Sequence, residues 1–210
     1  MEKGLTSCYY SEFVDSTFGK AVSRKAEKIK INYLSEVFPL PEADFIYIYL
    51  PSMDTILHKH YKGEAFKAEK ELIEFQIKLL WKRLPRKRRL VILSDHGLTG
   101  VRQIYKLPTI HDIYPVGGGR VAFYKNVEKS EVERRLKKAP VEVFHLKEIG
   151  DFSGRISKRC YENYGETIVL AKEGVAFQYP FEKEEISIKG FHGGFLKEEY
   201  YVNVWVTEKK

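Results

Sequence analysis

Cysteine is scarce in this chain. Its 210 residues contain two, Cys8 and Cys160, far apart and without a CxxC partner, which excludes a disulfide framework and a thiolate zinc site. Any metal ion must therefore be held by histidine and carboxylate. No apolar run approaches the ~18 to 20 residues that span a bilayer. The opening Met1-Glu2-Lys3-Gly4 lacks the charged-then-apolar pattern of a signal peptide. A cytoplasmic protein with no membrane attachment is the expectation.

What is present can build a core: 43% of the residues are hydrophobic and 14% aromatic, so wholesale disorder is excluded. The formal net charge is +7, from 36 Lys and Arg against 29 Asp and Glu. Acids are interspersed with bases along most of the chain, which makes the positive field diffuse.

Hydrophobic patterning suggests alternating elements. A helix is expected over residues 20–34, a strand buried on both faces over 44–50, a long amphipathic helix over 63–84 and a second buried strand over 90–93. Ile73, Ile77, Leu80, Trp81 and Leu84 share one stripe of the long helix, and Pro85 ends it. Strand, helix, strand at this length reads as a βαβ crossover, with both strand ends side by side in a parallel sheet. Polar clusters follow both strands, at the carboxyl ends where ligands collect in such sheets. Further on, strands are expected at 120–124 and 141–146 with a helix at 130–138 between them, a hairpin over 167–179, and a final strand at 201–206. The fold class is α/β, a mainly parallel sheet flanked by helices. Residues 1–109 and 186–210 form its main part, and 110–185 an inserted α+β subdomain.

Three short segments carry chemistry. Asp54 and His58 are four residues apart and share one face of a helical turn, a spacing that can grip one cation. Asp95 and His96 are adjacent at the next strand's end, and His192 lies between Phe191 and two glycines. Each has a plainer reading: Asp54 as a helix cap, Asp95-His96-Gly97 as a turn, His192 as a loop residue. Oxygen and nitrogen donors without sulfur suit zinc, manganese or iron in hydrolytic chemistry.

The strings Tyr49-Leu50-Pro51-Ser52-Met53-Asp54-Thr55-Ile56-Leu57-His58-Lys59, Leu93-Ser94-Asp95-His96-Gly97 and His192-Gly193-Gly194 followed by Glu198-Glu199, in this order, resemble the alkaline phosphatase superfamily. The nearest branch is that of type I phosphodiesterases and nucleotide pyrophosphatases with their PglZ-like relatives. The resemblance runs from about Tyr33 through Val206 and takes in residues 164–170. It implies an alkaline-phosphatase-like fold, truncated to the carboxyl-terminal half. It also implies two divalent metals, zinc first, with Asp54, His58 and His192 on one and Asp95 and His96 on the other. A phosphate ester or nucleotide-like compound is the implied substrate.

Family members carry a further metal-binding Asp and a nucleophilic Ser or Thr well upstream of the Asp-x-x-x-His motif. Only 53 residues precede Asp54 here, and Asp15, Ser16 and Thr17 are the upstream candidates, whose ordinary reading is a helix cap. The second metal site is thus expected to be incomplete. The chain is expected to be a weak phosphohydrolase, a subunit completed by an amino-terminal half chain or a second copy, or a metal-binding remnant. A different class stays open: a basic nucleic-acid-binding module, built on Arg86 to Arg89, Lys137-Lys138 and the strand from Arg120 to Tyr124.

Overall fold

The computed structural model describes residues 6–150 and 156–210. The inserted subdomain expected over 110–185 therefore falls partly outside the described residues. Among the described residues no helix is long and apolar enough to cross a membrane. The chain divides into two units. One takes the described residues up to Ile56 with Lys62–Leu90 and Val206–Lys210, the other Leu57–Tyr61 with Val91–Trp205.

The first unit is built on a three-stranded parallel sheet of order β2-β1-β3, with β1 at Ser7–Ser11, β2 at Glu27–Lys30 and β3 at Phe45–Ile48. Cys8 and Tyr10 of β1 face a core shared with Ile31, Leu34, Val37 and Leu80. Helix α1, Thr17–Ser23, is capped by Ser16, whose hydroxyl accepts from the Gly19 amide at 2.9 Å. The plain capping reading of the Asp15-Ser16-Thr17 segment thus holds. The helix expected over 20–34 does not form as a whole. It stops at Arg24 (φ 40°), and Glu27-Lys28-Ile29-Lys30 becomes an edge strand beside β1. Charge suits such an edge, because an unpaired ladder rimmed by lysines repels further pairing.

Helix α3, Glu64–Arg83, matches its expected stripe, and Leu80 delivers that stripe to the core. Lys209 closes its C-terminal end, the ammonium donating to the carbonyls of Trp81, Lys82 and Leu84 at 3.2, 2.7 and 2.6 Å. The Trp81 carbonyl also accepts from the Leu84 amide at 3.3 Å, and a cation at this end complements the helix dipole. The following strand β4, Arg89–Leu93, departs from the expected crossover: its ladder is with β13, Val204–Glu208, rather than with β3. Leu90 packs against the same core as Ile46 and Ile48, so the hydrophobic pattern was satisfied by packing and the hydrogen bonds went elsewhere. Strand β3 is half-buried, with Phe45 exposed, rather than covered on both faces.

The second unit centres on an antiparallel sheet of order β7-β8-β10-β9, formed by Val116–Gly118, Val121–Tyr124, Thr167–Ala171 and Val141–His145. Every residue of β10 is buried. Its alternate side chains serve different clusters: Val169 and Ala171 join Tyr124, Val132 and Phe177, while Ile168 and Leu170 join Leu146. Helix α4, Lys129–Arg135, brings Val132 to the first of these, and α5, Lys158–Tyr164, lies beside the second through Cys160 and Tyr161.

The expected hairpin over 167–179 does not form. Strand β11, Val175–Gln178, pairs in parallel with β6, Gln103–Lys106. The cause lies in the turn: Gly174 (φ +76°) offers its carbonyl to the amides of Arg102 and Gln103 at 2.7 and 3.0 Å, which recruits β6 as the partner. The strand expected to present aromatics to nucleic acid also differs, because Arg120 and Tyr124 are fully buried and cannot stack bases.

Candidate metal centre

Helix α2, Ser52–His60, starts beyond Pro51 and places Asp54 one turn before His58 on the same helix, so the four-residue spacing is realised on one helical face. Asp54 belongs to the first unit and His58 to the second. In the second unit the end of α2 is tied to β12, Gly190–Phe191, which pairs antiparallel with β5, Thr99–Gly100. The Lys189 amide donates to the His58 carbonyl at 2.8 Å, and His58 Nδ1 lies 2.8 Å from the Gly190 carbonyl oxygen. A carbonyl only accepts, so Nδ1 carries the proton and the Nε2 lone pair is the one offered to a ligand.

Glycine makes this approach feasible. A Cβ on Gly190 would sit 2.7 Å from the Leu57 carbonyl oxygen, and one on Gly100 would sit 2.9 Å from the Tyr61 ring.

His96 is positioned by its own loop. Its backbone amide donates to Asp95 Oδ1 at 3.0 Å, and its carbonyl accepts from the Ser94 hydroxyl. Its Nδ1 lies 3.1 Å from the Gly97 carbonyl, which again leaves Nε2 as the open donor, 3.7 Å from Asp95 Oδ2. Asp95 and His96 therefore present a carboxylate oxygen and an imidazole nitrogen on the same side of one loop.

His192 joins them. Its ring stacks on that of His96 with centroids 3.7 Å apart and planes inclined 20°, and lies 5.2 Å from the ring of His58. Phe191 closes on His58 edge-on at 4.8 Å, an apolar wall beside the imidazoles. The second unit thus gathers His58, Asp95, His96 and His192 from α2, the β4–β5 loop and the segment after β12. These are the second-unit members of the set expected from sequence. The donor chemistry is oxygen and nitrogen without sulfur, and two of the rings are anchored through Nδ1 as metal-bound histidines are. The residues fit a divalent cation such as zinc.

Two hydroxyl groups on the β4–β5 segment have other partners. Ser94 donates to the His96 carbonyl, and Thr99 donates to Glu198 Oε1 at 3.0 Å. Sequence reasoning noted Glu199 only within a motif and Arg120 only within a candidate nucleic-acid strand, and missed that they bond to each other at 2.9 Å with their side chains almost wholly buried. A lone charge beside a triple glycine, and a glutamate five residues beyond Gly194, were the only available signals.

The profile of the type I phosphodiesterase / nucleotide pyrophosphatase family matches residues 8–195. No curated protein matches the chain. Among solved structures, murine ectonucleotide pyrophosphatase / phosphodiesterase 5 superposes with a TM-score of 0.66 at 16% identity, covering 99% of this chain and 61% of that one. Its inactive form in complex with AMP gives 0.65 at 16% identity, covering 98% and 60%. The human protein of the same name gives 0.62 at 18% identity, covering 97% and 60%. The chain spans about three-fifths of the length of these relatives, and at such identities the likeness establishes the fold: α/β and alkaline-phosphatase-like. With the profile matched over most of its length, the chain belongs to the type I phosphodiesterase / nucleotide pyrophosphatase family.

Proposed function

We propose that this chain provides the divalent-metal centre of a phosphoric ester hydrolase acting on phosphodiesters or nucleotide pyrophosphates. The observation that carries the reading is the convergence of His58, His96 and His192, with two of the rings held through Nδ1 by backbone carbonyls. Within the second unit His96 and His192 are moreover among the residues whose ligand atoms suit a metal ion. In the proposed assignment Asp54, His58 and His192 hold one cation, and Asp95 and His96 contribute to a second. Zinc is the first candidate, with manganese or iron as alternatives. A pair of such cations supplies charge neutralisation for the phosphoryl oxygens in an in-line displacement.

The protein's own groups do the positioning. Gly190 holds the His58 ring and fixes its proton on Nδ1, the Asp95-His96-Gly97 loop does the same for His96, and Phe191 keeps an apolar surface against the imidazoles. The complex of the murine relative with AMP supports a nucleotide as the substrate class. Ser94 and Thr99 are committed to structural hydrogen bonds and Ser16 to a cap. The attacking hydroxyl is proposed to come from a further polypeptide segment, a companion chain or a second copy. Trp205 of β13 is 71% exposed, with Val204 and Val206 at 58% and 61%, and such an apolar strand surface supports a polypeptide partner.

Hydrolysis of bis-p-nitrophenyl phosphate tests the proposal. The expected result is turnover lost to a chelator, restored by zinc and abolished by His192→Ala. Zinc binding without turnover would identify a metal-binding subunit that requires its companion. A protein that binds no divalent metal would overturn the reading.

A further inference from the structure

Glu199 is the third residue of the short helix α6, Lys197–Tyr200. Its side chain is 1% exposed, and it is bound at both ends. One carboxylate oxygen accepts from the Gly194 amide at 2.9 Å and from Arg120 Nε at 2.9 Å, and the other accepts from the Leu196 amide at 3.1 Å. Its backbone carbonyl accepts from the Gly97 amide at 2.9 Å. One residue therefore reaches the loop after His96 through its main chain and the loop after His192 through its side chain.

Arg120 completes the arrangement. It is fully buried, and beyond Glu199 its guanidinium donates to the carbonyls of Ala171, Lys172 and Val175. The residue before it, Gly119 (φ +60°), lies so close to the His192 carbonyl that a Cβ there would be 2.3 Å from the oxygen. At Gly97 a Cβ would fall 2.0 Å from the Glu198 carbonyl oxygen. The contacts leave the His96 and His192 loops little freedom to slide past α6. A buried ion pair is weak evidence for stability, since well-packed apolar residues often serve as well. In some proteins such a pair fixes geometry rather than adding stability, and here the pair connects the loops of two histidines.

We infer that Glu199, held in place by Arg120, is a positioning residue that sets the separation and orientation of His96 and His192 for a shared metal centre. It is not a ligand itself. The inference rests on the metal-centre reading above and assigns the part of the fold that preorganises it. Outer partners of metal ligands typically contribute 10- to 100-fold in affinity.

The experiment is zinc titration against a chromophoric chelator, alongside thermal melting, for the wild type, Glu199→Gln and the double variant Arg120→Met with Glu199→Leu. The double variant removes both buried charges at once and so avoids an uncompensated ion. The expected result is that a variant keeping a cooperative melt loses about tenfold or more in zinc affinity. A folded variant with affinity within twofold of wild type would overturn the inference and leave the metal-centre reading intact. If neither variant folds, amide hydrogen exchange in the wild type decides. By reciprocity of coupling, zinc should slow exchange at Gly97, Gly194 and Leu196, and unchanged exchange there would overturn the inference. A wild type that binds no zinc would overturn the metal-centre reading itself, and this inference with it.

Discussion

The carbonyl of Gly190 holds the imidazole of His58 at 2.8 Å across 132 positions of sequence. That bond selects one nitrogen of the ring for ligation and ties the end of α2 to β12. Gly190 is required because a side chain there would meet the Leu57 carbonyl oxygen at 2.7 Å and the Tyr61 ring at 3.0 Å. Gly190→Ala should therefore push α2 away from β12. Overpacking of this kind costs about 1 to 3 kcal/mol, and at roughly 2 to 4 °C per kcal/mol for a chain of this size the melting midpoint should fall several degrees, with zinc affinity falling too. An unchanged midpoint would show that α2 yields without strain.

Tyr179 donates its hydroxyl to the Val121 carbonyl at 2.6 Å, and Tyr124 donates to the Pro108 carbonyl at 2.7 Å. Burial holds both phenols well above their ordinary pKa, so they remain protonated donors. Replacing either by Phe leaves a buried carbonyl without its donor and should cost about 1 kcal/mol, measured by urea denaturation. Zinc affinity should stay at the wild-type value, because neither residue approaches the histidines.

Glu131 accepts from Arg134 at 2.7 Å and from Arg135 at 3.1 Å, and these bonds lower its pKa to about 2. The folded value lies below the unfolded one, so the stabilisation from this carboxylate is complete above the unfolded value of roughly 4.3. It is lost as the pH falls from there through the folded value. An NMR titration of the Glu131 side-chain carboxyl should give a midpoint near 2, moving upward in Arg134→Ala. A midpoint at the model-peptide value would mean the clamp does not persist in solution.

The exposure of Trp205 gives a simpler check. Trp205→Lys should leave the melting midpoint and zinc affinity nearly unchanged, since exposed substitutions usually fall within about 0.5 kcal/mol. It should also abolish association with any companion chain or second copy, read by analytical ultracentrifugation. A large loss of stability would instead assign Trp205 to this chain's own packing.

Periodic elements were legible in advance and pairings were not. The stripe from Ile73 to Leu84 announced α3 because its apolar side is unbroken at helical spacing. Glu27-Lys28-Ile29-Lys30 gave no such signal: with Ile29 alone packed against the core, its strand state depends on β1 beside it. The 167–179 segment read as a hairpin because local turn chemistry says nothing of a distant strand, and the Gly174 carbonyl is claimed by Arg102 and Gln103. For the proposed metal centre, Asp54, His58, Asp95, His96 and His192 stood out in sequence because ligand chemistry restricts residue types. The pairing of Arg120 with Glu199 was hidden because a buried ion pair looks in sequence like two surface charges.

X-ray absorption at the zinc edge tests the central claim most directly. A shell of nitrogen and oxygen donors, with imidazole scattering that diminishes in His192→Ala and in His58→Ala, is the predicted result. Sulfur in the shell, or imidazole scattering unchanged by both substitutions, would contradict it.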